Sequence, residues 1–152
     1  LGTITPVRAI ADAAHAAGAV VVVDACQFVP GVATDVTAMG ADFLAFSSHK
    51  MLGPTGIGAL WGREDLLDAM PPFLGGGEMI NEVFHDHATW NVIPSKFEAG
   101  TMNIAQEVGL AAAIDYLTDL GMEAVHAREQ ELTGYALEQL EQVGARIFGP
   151  IG

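Results

Sequence analysis

The sequence predicts an α/β fold, a doubly wound sheet with helices packed on its faces. Two apolar runs carry the prediction. Residues 19–23 form a continuous stretch rich in β-branched side chains, as expected of a parallel strand covered on both faces. Residues 41–46 form a second run, and the connection between the two fits a right-handed crossover. Helical spacing recurs on either side of these runs, which supplies the remaining layers.

Taken in order, Thr5 followed by Pro6 reads as an N-cap and a first helical position. Val7, Ile10, Ala11 and Ala14 continue that helix, and Gly18 stops it. The strand at 19–23 ends at Asp24, and a short helical turn around 35–39 leads to the strand at 41–46. Residues 56–62 form a further candidate strand and 64–70 a short helix, ended by Pro71 and Pro72. Gly75, Gly76 and Gly77 open a long irregular segment to about Asn91, a kind of loop that is often functional. Residues 104–120 form a helix with Leu110, Ile114 and Leu117 on one face, stopped by Gly121. Residues 122–143 form another, with Leu132, Ala136, Leu140 and Val143 in phase, stopped by Gly144. Residues 146–148 begin one more strand.

Composition excludes several functions. The 152 residues suffice for one domain with a sizeable core, and 51% hydrophobic against 16% charged content marks a globular chain. A net charge of −13, from 6 basic and 19 acidic residues, argues against a nucleic-acid partner, which needs clustered Lys and Arg. No apolar run approaches the roughly 18 residues that span a bilayer, so no membrane role is read. The single cysteine, Cys26, excludes an internal disulfide and a multi-cysteine metal site, and leaves the cytoplasm as the default compartment. The chain starts at Leu1 rather than Met and stops just after a candidate strand, so it is expected to be an internal piece of a longer protein.

The chemistry gathers at two strand ends. Ser47, Ser48, His49 and Lys50 follow the second run, and a turn of Gly53, Pro54, Thr55 and Gly56 comes next. A lysine at the mouth of an apolar pocket, beside hydroxyls and an imidazole, suits two tasks. It can hold an anion, or attack a carbonyl as a partly buried amine. A lone lysine is more often a solvated loop residue, and a lone His49 more often a bonded core histidine. Asp24 and Gln27 close the first run. Ligands bind beyond the carboxyl ends of strands in such sheets, so adjacent strands would put Asp24 and Lys50 on one site. The bland alternative for Asp24 is a cap on the next helix. His85 and His87 share a face only if extended and lack a third ligand, so no metal is read. The turn after Lys50 lacks the Lys-Ser/Thr of a Walker loop, and no dinucleotide fingerprint is present.

The run from Ser47 to Gly58 resembles the cofactor-lysine segment of the pyridoxal-phosphate enzymes of the class V aminotransferase family, and looks most like the Suf-type cysteine desulfurases. The match spans residues 1–150. It includes the Val-Asp-X-X-Gln pattern at 23–27, the glycines at 75–77, and the turn Gly100, Thr101, Met102, Asn103. The resemblance implies the large domain of the fold-type-I transferase fold, a mainly parallel sheet sandwiched by helices. Residues 1–120 would belong to that domain, 121–143 would be a long connecting helix, and 144–152 would start the C-terminal small domain.

It implies pyridoxal 5'-phosphate as cofactor, with Lys50 binding it covalently and then acting as acid and base. Asp24 would face the ring nitrogen and keep it protonated. Gln27 would meet the ring hydroxyl oxygen, and Ser47 and His49 the phosphate. Thr101 would reach the phosphate of the neighbouring subunit of a homodimer, although Met102 stands where the family has proline, which loosens the turn. Helix capping is the alternative for Thr101, a task Asn103 would do better, and a flexible linker is the alternative for the glycines. Ser48 stands where related sequences often have glycine, and no role is assigned to it. The implied reaction converts L-cysteine to L-alanine and passes sulfur on as a protein persulfide for iron–sulfur cluster assembly, with a sulfur-acceptor protein as a possible partner. The persulfide cysteine and the carboxylate-binding arginine would lie outside this chain, and Cys26 is read as a small buried hydrophobe. Another class V enzyme (selenocysteine lyase, epimerase or aminotransferase) and a non-catalytic fragment are the alternatives.

Overall fold

The structure is a computed structural model, and it describes residues 2–150. Helix α1, Val7–Ala16, starts one residue later than a Thr5 cap requires. Pro6 is the capping residue, no side chain caps the helix, and the entry is tied by Val7 N–H donating to Thr5 O at 2.8 Å. Gly18 ends it with φ +74. The helix buries Ala11 against Gly40, where an added Cβ would stand 3.3 Å from Ala11 Cβ. Gly40, at φ +71, closes the short helix α2, Val36–Met39, whose entry Asp35 caps by accepting from Thr37 and Ala38 N–H.

Strand β1, Val22–Asp24, pairs in parallel with β2, Phe43–Ser47, in the register Val22 to Phe43, Val23 to Leu44 and Asp24 to Ala45. The crossover between them packs Ala25, Ala41 and Leu44 into a small core with Val23, Phe28, Val29, Val36, Met39 and Phe46. β1 is shorter than its apolar run and is not covered on both faces: Val22 is 68% exposed. It is the edge of the order β1-β2-β3, and nothing among the described residues lies over that side chain.

Strand β3, Gly58–Gly62, runs antiparallel to β2, pairing Phe43 with Gly62 and Ser47 with Gly58. The sheet is therefore mixed, and the expected parallel pairing is confined to β1–β2. The reason is reach. Residues 48–57 are fewer than the roughly dozen that a parallel crossover needs, so the chain must turn straight back.

Helix α3, Glu64–Ala69, follows. The segment expected to be irregular up to Asn91 instead holds a hairpin of β4, Ile80–Val83, and β5, Ala88–Trp90. Its turn is fixed by Phe84 N–H donating to His87 O, with the two rings stacked 4.4 Å apart. Ile80, Val83, Thr89 and Trp90 have the β-branched and aromatic character of strands, which outweighed the glycines before them.

Helices α4, Ile104–Leu120, and α5, Met122–Gln142, meet at Gly121 as expected. α4 buries Ala113 and Leu117, while Ile114 is largely exposed. On α5 the stripe of Leu132, Ala136, Leu140 and Val143 faces outward, and no α5 residue is buried. Residues 146–148 are not a strand. No neighbouring strand is there to pair with them among the described residues, and Arg146 stacks on Phe148 at 4.6 Å. Ile151 and Gly152, the end of the expected small-domain segment, lie outside the described residues.

Candidate active site

The parallel pairing of β1 and β2 brings their carboxyl ends side by side, and with them Asp24, Cys26, Ser47 and Lys50. Asp24 is exposed at the end of β1, and its Oδ1 accepts from Cys26 N–H at 3.0 Å. It is not a helix cap. The Cys26 N–H, the Cys26 thiol and the positive charge of Lys50 hold its carboxyl below the ordinary value of 3.8. Lys50 thus acts on Asp24 electrostatically, across 26 positions of sequence.

The ladder continues past Asp24 through Ala25 N–H to Ala45 O at 2.9 Å. Beyond it the chain bends into a turn, on which Gln27 is exposed. Cys26 is half-buried, with Sγ 3.3 Å from Ser47 Oγ, so the Asp24 turn leans on the end of β2.

Ser48–Lys50 forms a single 3-10 turn. Ser48 is fully buried, while His49 and Lys50 are exposed. The partly buried lysine expected from the sequence is exposed in this chain. Its Nζ makes no hydrogen bond or ion pair among the described residues. Lys50 is not among the residues lining the hollows beside α1 and beside α3.

Thr101 is exposed, and its side chain makes no hydrogen bond among the described residues. Its turn is nevertheless tied in. Gly100, at φ +86, donates its N–H to Gly77 O at 2.9 Å. Asn103 does not cap α4 with its side chain. Its Nδ2 donates to Gly56 O at 2.9 Å, so the turn before α4 holds the turn after Lys50. Lower on α4, an added Cβ at Gly109 would stand 2.9 Å from Pro54 Cγ.

The donor set suits a phosphorylated aromatic aldehyde. It offers an ionised carboxylate for a ring N–H, an amide and a hydroxyl for ring oxygen and phosphate, an imidazole for phosphate, and an unpaired amine for the aldehyde. No group of three or more His, Cys, Asp or Glu among the described residues could hold a metal ion. At the hairpin tip His87 Nδ1 instead pairs with Asp86 Oδ1 at 2.8 Å.

Sequence reasoning missed the other charged centre. Asp42 is 1% exposed and accepts three hydrogen bonds, from Val21 N–H, His15 Nε2 and Arg63 Nη1, each at 2.8 Å. The Val21 N–H and the His15 bond, followed by the Arg63 bond, hold its carboxyl at about 2. The available signal was a lone carboxylate between Ala41 and Phe43, since an acid inside an apolar run must be paired.

An α/β chain with a lysine and an acid at neighbouring strand ends defines a class, and the comparisons agree. Residues 1–150 match the aminotransferase class-V model, and the chain belongs to that family. Within it, the similarity is to proteins named cysteine desulfurase. The chain is 55% identical to a probable cysteine desulfurase of Synechocystis sp. over 99% of its own length and 36% of that protein's. It superposes on the cysteine desulfurase CsdA of Escherichia coli with TM-score 0.88 and 41% identity, covering 92% of this chain and 35% of that one. The apo cysteine desulfurase of Thermococcus onnurineus gives TM-score 0.95 and 38% identity over 100% of this chain and 38% of that one. The fold is that of these enzymes, and the chain spans about 36% of the curated relatives it matches.

Proposed function

We propose that this chain is the cofactor-lysine part of a pyridoxal-phosphate-dependent cysteine desulfurase. The reading is carried by one observation: Asp24 and Lys50 stand at the adjacent carboxyl ends of two parallel strands, exposed and electrostatically coupled. Pyridoxal phosphate, when bound, supplies an electron sink for bonds at the amino acid's carbons. Asp24, kept ionised, accepts the ring N–H and holds its proton. Gln27 donates to the ring oxygen. Ser47 and His49 donate to the phosphate, and Thr101 does so across a homodimer interface. Lys50 Nζ would hold the cofactor at its aldehyde carbon and would serve as acid and base at the substrate carbons.

The substrate is L-cysteine, released as L-alanine, with the sulfur leaving on a cysteine outside this chain toward an acceptor protein for iron–sulfur cluster assembly. Residues 1–120 are the large-domain part, 121–143 a connecting helix and 144–152 the start of a small domain, a division supported by the outward-facing stripe on α5. No described helix is long and apolar enough to cross a membrane, and we take the enzyme to be cytoplasmic.

The test has two parts. Borohydride reduction with pyridoxal phosphate, followed by peptide mapping, is expected to mark Lys50; a mark on Lys96 alone would refute the assignment. A chimaera with residues 1–152 in place of the matching segment of the Synechocystis relative is expected to release alanine from L-cysteine. Its Lys50→Ala form should fall by about 1,000-fold or more. The 152-residue chain by itself is expected to show no turnover above that control.

A further inference from the structure

We propose that Ser48 and Gly53 form a steric latch that positions the Lys50 amine. The proposal rests on the reading of Lys50 as the cofactor lysine and adds two residues that act through it. Ser48 lies two positions before Lys50 and has no exposed surface, and its Oγ has no hydrogen-bond partner among the described residues. A buried, unpaired hydroxyl is unfavourable as a polar group, so what Ser48 supplies to the turn is volume.

That volume is set against Gly53. A Cβ added to Gly53 would overlap Ser48 Oγ and stand 3.1 Å from Ser48 O and 3.3 Å from Ser48 Cβ. Gly53 does not have a left-handed φ, so glycine serves there for space rather than for backbone freedom.

The backbone closes around this contact. Ser48 O accepts from Met51 N–H at 2.9 Å and from Gly53 N–H at 3.1 Å, and Ser48 N–H donates to Ile57 O at 3.1 Å. Leu52 completes the turn at φ +67, a conformation few non-glycine residues adopt. On the far side the turn is held by Gly109 under Pro54 and by Asn103 on Gly56. The Lys50 backbone therefore rides on a segment gripped from two sides, and only its side chain is free. Forcing Ser48 and Gly53 apart moves the origin of all three backbone bonds, and the lysine moves with it. Ser48 and Gly53 are positioning residues.

The experiment measures the rate of borohydride-trapped labelling of Lys50 in the 152-residue chain at varied pyridoxal phosphate. It compares the unchanged chain with Gly53→Ala, Ser48→Gly and the double variant. Gly53→Ala is expected to lower the saturating rate about tenfold or more, since displacements of about 1 Å can cost 100-fold. The half-saturating concentration should change less, by no more than about threefold, because Asp24 and Gln27 lie on the β1 turn outside the displaced segment. Ser48→Gly removes the overlapping atoms, so the double variant should recover to within about fivefold of the unchanged chain, the close Ser48 O remaining. Labelling of Gly53→Ala at the unchanged rate, or a double variant no better than Gly53→Ala, overturns the latch. If Gly53→Ala does not fold, a folded and labelled double variant supports the latch, and an unfolded or unlabelled one overturns it. An unchanged chain that is never labelled at Lys50 overturns the cofactor-lysine reading and the latch with it. Failure of the variants alone overturns only the latch.

Discussion

Asp24 and Asp42 occupy opposite ends of the same pair of strands, and their surroundings differ in kind. Asp42 is sealed in and accepts from a backbone N–H, an imidazole and a guanidinium, which uses most of a carboxylate's capacity. Asp24 is open, accepts one backbone N–H, and senses Lys50 without bonding to it. Both carboxyls are held below their ordinary range. The shift alone therefore does not mark a functional acid. What sets Asp24 apart from Asp42 is spare bonding capacity near an amine that is unpaired among the described residues. The two lysines repeat the contrast. Lys96 is buried and donates to Leu67 O and Asp68 O at 3.1 and 2.8 Å, closing the end of α3, whereas Lys50 Nζ has no partner among the described residues.

The comparison is sharpest if substitutions at the two ends fail in different assays. In the chimaera, Asp24→Asn should cost about 100-fold in alanine release, because an amide cannot hold a proton on the ring nitrogen by charge. Its melting temperature should stay within about 2 °C, and near-normal turnover would make Asp24 structural. Asp42→Asn should do the reverse. Leaving Arg63 and His15 without their buried partner is expected to lower the melting temperature by on the order of 10 °C. Turnover per folded molecule should stay within about threefold.

The sign of the pH effect follows from the carboxyl. With a folded value near 2 against an ordinary 3.8, Asp42 adds stability above about pH 4 and loses it as the pH falls toward 2. Acid titration of the chain and of Asp42→Asn should show that limb flattened in the variant; identical profiles would separate Asp42 from acid stability. The smallest effect is expected at Lys96→Met, a fall of about 5 °C from two orphaned carbonyls, with labelling of Lys50 unchanged.

Much of this was legible in the residues. The apolar runs announced the two parallel strands, and Gly18, Gly121 and Gly144 marked helix ends that the structure keeps. Asp24, Ser47 and Lys50 were read at strand ends, where a doubly wound sheet leaves side chains free, and the β1–β2 pairing sets those two ends side by side. What was not legible depends on partners distant in sequence. Asp42 draws on His15 and Arg63, 27 and 21 positions away. Asn103 looked like a helix cap, and its donor instead crosses 47 positions to Gly56. Burial was misjudged at Val22, where an apolar run records what a surface is suited to meet and not what lies on it in this chain.

The brevity of the connection between β2 and β3 also sets an order in time. Those strands meet across a tight local turn, whereas β1 must find β2 across the whole Asp24-to-Phe43 crossover. Closing the shorter loop costs less chain entropy and is the faster event. The lysine turn is then assembled before the acid arrives beside it, and the amine spends the early life of the chain unaccompanied. Pulsed hydrogen exchange should protect the β2–β3 amides ahead of those joining β1 to β2, and simultaneous protection would mean that the two strand pairs form as one unit.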